Sequence, residues 1–211
     1  MRVQYGFYFD TEQCIGCNAC VMACQDWNDL LSAASDKEEN TKGATANRQL
    51  RTENAVETGK RELESKSVYW RRVTTVESGK CPNVRLTNHS LSCLHCDKPA
   101  CAEQCPAKAI SKRVEDGIVV VDHAKCQGCR TCQQACPWGI PQYGHDGKMQ
   151  ICNFCMDKVS QGEVPACAAA CTGGALFAGP LDELGRIFVT YSPTRLAGNT
   201  EPSMLVPTTR T

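Results

Sequence analysis

Large aromatic side chains are scarce in this chain: Phe, Trp and Tyr together supply 6% of its 211 residues. The hydrophobic share of 42% looks ordinary only because it counts seventeen cysteines. A conventional apolar core is therefore thin, and chains short of core are commonly held together by disulfides or metals. Long apolar runs are missing as well. No stretch reaches the roughly 18 consecutive apolar residues of a membrane-spanning helix, so nothing here is expected to cross a bilayer. The opening MRVQYGFYFD lacks the charged, apolar and small-residue regions of a signal peptide. Any export is then expected to rely on a partner that carries the signal. Basic charge is not in excess either, with 23 Lys and Arg against 23 Asp and Glu. That balance argues against nucleic acid as a partner.

Cysteine is what the chain has in abundance, and it comes in four groups with one outlier. The first group, CIGCNACVMAC, gives Cys14, Cys17, Cys20 and Cys24. The second, CLHCDKPACAEQCP, gives Cys93, Cys96, Cys101 and Cys105. The third, CQGCRTCQQACP, gives Cys126, Cys129, Cys132 and Cys136. The fourth, CNFCMDKVSQGEVPACAAAC, gives Cys152, Cys155, Cys167 and Cys171. Groups one and three repeat C-x₂-C-x₂-C-x₃-C, the bacterial ferredoxin run, which Pro137 completes in group three. Three thiolates on one tight loop can reach three corners of an iron–sulfur cube. The fourth, beyond a turn into helix, serves the neighbouring cluster. Groups two and four keep this three-plus-one logic with a longer gap before the third cysteine. The sixteen grouped cysteines are the candidate iron ligands, and four [4Fe–4S] clusters are the expected cofactors.

Two blander readings compete. A disulfide framework is disfavoured because no secretory signal is present and cysteines this dense allow many competing pairings. Structural zinc usually takes two separated C-x₂-C pairs closing one tetrahedron. Triplets followed by a lone fourth cysteine, repeated four times, do not fit that pattern. Cys81, in GKCPN, stands outside every group and is read as a bystander, since one thiol cannot build a fifth site.

The expected fold is α+β: two bacterial-ferredoxin-like double-cluster modules, with short strands, short helices and long loops wrapped around the clusters. Groups two and three, being contiguous, form an inner module at 91–144. Groups one and four then pair across the chain as an outer module, 1–30 plus 145–180. Val3–Phe9 reads as a strand, and so does Val68–Val76, which falls in the connecting strands at 68–90. SKRVEDGIVVVD reads as a hairpin around Asp116 and Gly117. A short helix is expected after Pro106, in PAKAI, and another in PLDELGRIF. Residues 31–67 are polar, without cysteine, and read as an exposed insertion. In the 181–211 segment, a helix leads to a tail broken by Pro193, Pro202 and Pro207, read as an arm along a partner or as disordered chain. His95 is expected to hydrogen-bond locally or to modulate a cluster's potential, and Trp138 to pack on a cluster loop. Lys98, Lys108, Lys112, Arg113, Lys125 and Arg130 lie near the central groups, where they offset cluster charge or simply sit in solvent.

The order and spacing of the groups, with QYGFYFDTEQCIGCNAC, YWRRV, DGIVVVD, ACPWGIPQY and GPLDEL, resemble the iron–sulfur subunit of the dimethyl sulfoxide reductase family. The likeness covers most of the chain, failing at Leu31–Ser67 and at the last dozen or so residues. Groups one and four also depart from it in having Gln25 and Thr172 where a proline often follows the last cysteine. The resemblance implies four ligand sets. Cys14, Cys17 and Cys20 go with Cys171, and Cys152, Cys155 and Cys167 with Cys24. Cys93, Cys96 and Cys101 go with Cys136, and Cys126, Cys129 and Cys132 with Cys105. Respiratory nitrate reductase subunits have Trp at the position of Cys129 and build a three-iron cluster there, so the cysteine here implies four cubanes. It implies further a large catalytic subunit with a molybdenum or tungsten bis-pterin cofactor, and a membrane anchor that exchanges electrons with quinol. The chain would then be a peripheral membrane-associated subunit, on either face, without catalysis or a small-molecule substrate of its own. The alternatives are the equivalent subunit of a formate dehydrogenase or hydrogenase complex, or a free polyferredoxin.

Overall fold

The computed structural model describes residues 3–30 and 68–208. Its elements run β1 (Tyr5–Phe9), α1 (Ala19–Trp27), β2 (Arg72–Lys80), β3 (Asn83–Leu91), α2 (Ala100–Glu103), β4 (Ile110–Lys112) and β5 (Val119–Val121). There follow α3 (Thr131–Ala135), β6 (Gln142–Tyr143), β7 (Met149–Gln150), α4 (Met156–Val159), α5 (Ala166–Ala169), β8 (Leu176–Pro180), α6 (Leu181–Ile187), β9 (Pro193–Arg195) and β10 (Met204–Pro207). Strands and helices are mixed and short, the α+β character expected.

A four-stranded sheet in the order β8-β1-β10-β9 forms the largest regular unit. β1 runs antiparallel to β8, from Tyr5 opposite Pro180 to Phe9 opposite Leu176. It runs parallel to β10, with Phe7 opposite Met204. Side chains alternate across a strand, so β1 serves two layers. Phe7 and Phe9 face the cysteine-rich side, where Phe7 meets Phe154 at 4.7 Å between ring centres. Tyr8 faces the other way and stacks on Phe188, just past α6, at 3.9 Å. Gly6 lets the strands close up: a Cβ there would stand 2.2 Å from the Ser203 carbonyl oxygen.

The C-terminal segment corrects the tail expected from the sequence. Rather than an arm, it folds back, supplies β9 and β10 to the sheet, and grips the second cysteine group. Ser203 N–H bonds the Leu94 carbonyl, Asp97 N–H bonds the Glu201 carbonyl, and Lys98 N–H that of Thr200. Its prolines are tolerated because Pro193 and Pro207 close the β9–β10 pair at its end.

Other boundaries shift. The first strand begins at Tyr5, not Val3. The strand expected at Val68–Val76 begins at Arg72 and runs to Lys80, pairing with β3 along its whole length from Arg72–Leu91 to Lys80–Asn83. Beyond Val73 this hairpin is solvent-exposed on β2, with Cys81 at its tip. The hairpin around Asp116 and Gly117 is present, with β4 and β5 paired from Ile110–Val121 to Lys112–Val119. PAKAI, after Pro106, is not a helix. The helix lies inside the group, at α2, and PAKAI is a turn leading into β4, because Lys108 takes a left-handed backbone (φ 48°). The helix in PLDELGRIF is α6. The 31–67 insertion lies outside the described residues.

Candidate iron–sulfur centres

All four cysteine groups open with C-x-x-C, and in all four the third residue turns through positive φ: Gly16 (70°), His95 (43°), Gly128 (67°) and Phe154 (61°). This corner turns the chain so that both cysteines of the motif face one side. Glycine takes it without strain, while an ordinary side chain costs about 1–2 kcal/mol there. A short helix comes next in all four groups; in group four it is α4, and the longer gap then ends in α5, which carries Cys167. On or just beyond each helix stand two cysteines four residues apart: Cys20 and Cys24 with α1, Cys101 and Cys105 with α2, Cys132 and Cys136 with α3, Cys167 and Cys171 with α5.

Three cavities of nearly equal size lie beneath these loops, and four cysteines line each. One of about 350 Å³ is lined by Cys14, Cys17, Cys20 and Cys171. Another, about 340 Å³, has Cys93, Cys96, Cys101 and Cys136, with Trp138 on its wall. The third, about 320 Å³, has Cys105, Cys126, Cys129 and Cys132, with Tyr143 and Met149 beside them. The remaining four, Cys24, Cys152, Cys155 and Cys167, gather where α1 packs on α5, and all are buried. Their thiols act on one another: Cys24 is pushed up to about 12 by burial first and then by Cys167 and Cys155. In every quartet, three cysteines come from one group and the fourth from another.

Among the described residues, no group of three or more His, Cys, Asp or Glu closes round a single-ion position. The sulfurs stand instead around cavities walled by apolar side chains, a spacing suited to a multi-iron core rather than to a tetrahedral ion. Burial pushes half of these thiols up, Cys101 to about 12, so uncompensated thiolates are costly there. Bound iron would supply the missing positive charge. Donors are already aimed at sulfur: Ala109 N–H at Cys105 (3.3 Å), Met149 N–H at Cys126 (3.4 Å) and Phe154 N–H at Cys152 (3.3 Å). Tyr143 Oη lies 3.2 Å from Cys132 Sγ. The residues present fit iron–sulfur clusters.

Two quartets reach solvent, one at Cys17 and the other at Cys129. Both thiols are lowered rather than raised. Cys17 is lowered first by the Ala19 N–H and then by the Thr172 hydroxyl, Cys129 by the Thr131 hydroxyl and N–H. Cys93 and Cys152 share a hydrophobic cluster and influence each other's charge.

His95 is fully buried, and its Nδ1 accepts the Val119 N–H at 3.0 Å. Burial, Lys112 and Arg71 push its pKa down to about 3, so the ring is neutral. It meets Phe154 edge-on at 5.3 Å, joining the second and fourth groups. Of the basic residues singled out, Lys112 is the most enclosed, donating to the Cys96 carbonyl (2.8 Å) and pairing with Asp97. Lys98 pairs with Glu201, Lys125 with Asp122, and Arg113 with Asp116, while Arg130 lies over the Tyr143 ring. Sequence reading missed Arg71, a buried arginine bonded to Ser90 and Ser92 at the base of the β2–β3 hairpin. Its only signal was an arginine pair beside an aromatic pair in YWRRV.

Comparison with known proteins agrees with this chemistry. A family described as a 4Fe-4S dicluster domain matches residues 84–181, and one described as a 4Fe-4S binding domain matches residues 7–26. A polypeptide of the anaerobic dimethyl sulfoxide reductase of Escherichia coli (strain K12) is 35% identical across 98% of this chain and 89% of its own length. This protein belongs to the dimethyl sulfoxide reductase iron–sulfur subunit family. Other members of this family extend the range of names. A sulfite dehydrogenase subunit of Allochromatium vinosum is 31% identical over 85% of this chain and 70% of its own length. The beta subunit of the selenate reductase of Thauera selenatis is 32% identical over 85% of this chain and 67% of its own. As a dimethyl sulfoxide reductase-type iron–sulfur subunit, the chain is an electron-transfer component of an oxidoreductase complex. No helix among the described residues is long and apolar enough to cross a membrane.

Proposed function

We propose that this chain relays electrons through four [4Fe–4S] clusters between a quinol-linked membrane anchor and a catalytic subunit that carries molybdenum or tungsten bis-pterin. The observation that carries the reading is the sorting of sixteen cysteines into quartets, three of them lining cavities of one size. In this reading Cys14, Cys17, Cys20 and Cys171 hold one cluster, and Cys24, Cys152, Cys155 and Cys167 its neighbour, forming the outer module (1–30 plus 145–180). Cys93, Cys96, Cys101 and Cys136 hold the third, and Cys105, Cys126, Cys129 and Cys132 the fourth, forming the inner module (91–144).

When bound, each cluster supplies a site that accepts and returns one electron. The protein's own part is spacing, shielding and tuning. Each pair of cysteines four residues apart joins two neighbouring sites, since four helical residues rise only about 6 Å. Cys93 and Cys152 bring the modules together through apolar packing. Apolar walls keep water from the inner sites, and the aimed N–H and O–H groups stabilise charge on sulfur. Cys17 and Cys129 leave their two sites open to partners.

The test is anaerobic purification with whatever binds the protein, then iron and sulfide per chain and EPR of the reduced state. About sixteen of each, interacting [4Fe–4S] signals and a large molybdenum- or tungsten-containing partner are expected. Near-stoichiometric zinc, or an isolated monomer with iron for only two clusters, would sink the four-cluster relay. Four clusters without a pterin-bearing partner would point to a free polyferredoxin.

A further inference from the structure

Arg71 is 1% exposed, and burying a guanidinium is costly unless an opposite charge or a full set of acceptors meets it. Its hydrogen bonds go to two neutral hydroxyls, Nη1 to Ser90 Oγ (3.0 Å) and Nη2 to Ser92 Oγ (2.7 Å). The guanidinium also lies over the Phe7 ring, 4.6 Å from its centre. Among the described residues no carboxylate forms an ion pair with it, and its Nε–H is buried without an acceptor. A fixed cation is thus enclosed with its counter-charge unaccounted for by any acid.

Held as thiolate ligands, the cysteines around it would supply that charge. Burial works against the guanidinium, yet Cys167, Cys152, Cys20 and Cys24 outweigh it and raise the Arg71 pKa. Those four belong to both outer quartets. One connection is specific: Ser90 Oγ, which accepts from Arg71, stands 3.5 Å from Cys20 Sγ. The Ser90 oxygen accepts from Arg71 on one lone pair, and its one proton can be given to a Cys20 thiolate. The relay Arg71–Ser90–Cys20 thus carries positive polarisation to a ligand position.

We infer that Arg71 is the internal counter-ion of the two outer cysteine sites and raises the reduction potentials of the clusters they hold, acting on one of them through Ser90. It is a positioning residue that touches no reacting atom. The inference rests on the four-cluster reading. Its physical basis is simple: one-electron reduction adds negative charge to a cluster, and a fixed cation in a low-dielectric interior stabilises the reduced form. A purely structural arginine, pinning the base of the β2–β3 hairpin, would affect folding and iron content without a selective change in potential.

The experiment is an EPR-monitored redox titration of the full chain, purified anaerobically with its partner. Signals are assigned through single Cys→Ser variants, one per site. With four clusters present, Arg71→Met is expected to lower both outer potentials by tenfold or more in the reduction equilibrium, about 59 mV or more per electron. The inner pair should move by less than about threefold. Arg71→Lys keeps the charge and should restore most of the shift, while Ser90→Ala should lower mainly the Cys20 site. Unchanged outer potentials in a fully loaded Arg71→Met complex overturn the inference, as does an Arg71→Lys shift as large as that of Arg71→Met. Should Arg71→Met fail to load iron, Ser90→Ala decides: a selective fall at the Cys20 site supports the relay, and no fall overturns it. A wild-type complex with fewer than four clusters is a different failure, removing the underlying reading before any variant is made.

Discussion

Four loops with the same C-x-x-C opening turn the same left-handed corner, yet two do it with Gly16 and Gly128 and two with His95 and Phe154. The glycine loops carry the exposed cysteines Cys17 and Cys129. In the His95 and Phe154 loops those two residues are fully buried and touch each other. Backbone strain is accepted there because the side chains become core: Phe154 packs on Phe7, Tyr5 and His95. In a chain with so few aromatics, two ligand loops double as the hydrophobic hub. At Gly16 and Gly128 the Asn88 side chain and the Gly147 carbonyl stand close to the corner, and glycine turns it without strain.

Removing iron should give the largest effect and expose the difference directly. On progressive chelation under reducing conditions, hydrogen exchange should rise first around Cys14–Cys20 and Cys126–Cys132, and later around Cys93–Cys96 and Cys152–Cys155. Simultaneous loss in all four loops would erase the distinction. Among substitutions, Phe154→Ala is expected to cost most, about 3–5 kcal/mol, since it empties the hub. Denaturant unfolding of the loaded protein measures it. Phe154→Gly should recover only the strain part, about 1–2 kcal/mol. The glycines come next. Gly128→Ala should cost about 2–3 kcal/mol, because its Cβ would stand 2.4 Å from the Gly147 carbonyl oxygen as well as at positive φ. Gly16→Ala meets the Asn88 side chain at 2.8 Å, which can yield, and should cost less by thermal unfolding.

His95→Asn tests the hub more gently. Asn tolerates the left-handed backbone but removes the ring and the acceptor for Val119 N–H, for an expected loss of about 1–3 kcal/mol. The smallest effect should come from Glu12→Ala. Its ion pair with Arg85 ties the first loop to the hairpin, but both side chains are more than half exposed, so less than about 1 kcal/mol is expected. A larger value would mean that the hairpin holds the first cysteine loop in place.

Cysteine spacing made the family legible, because ligand geometry is written in local intervals that folding cannot alter. The hairpin at Asp116 and Gly117 was legible for the same local reason. What was hidden depends on distant partners. The pairing of Phe7 with Met204 joins distant parts of the chain, so Pro202 and Pro207 read as a broken tail although Pro202 precedes a sheet strand and Pro207 ends it. His95 and Phe154 look unsuited to a left-handed corner until their burial is known. Arg71 drew no reading of its own, since its partners Ser90 and Ser92 stand nineteen and twenty-one residues on and Phe7 far before it.

The closing of the first cavity by Cys171 has a consequence in time. A ribosome adding roughly 5–20 residues per second needs about 8–30 s to travel from Cys14 to Cys171. For that interval Cys14, Cys17 and Cys20 are three quarters of a site, and β1 waits longer still for β10. The first cavity to begin is among the last to close. Until Cys171 emerges the first quartet lacks its fourth member, so the cluster proposed there would be completed only after most of the chain is made.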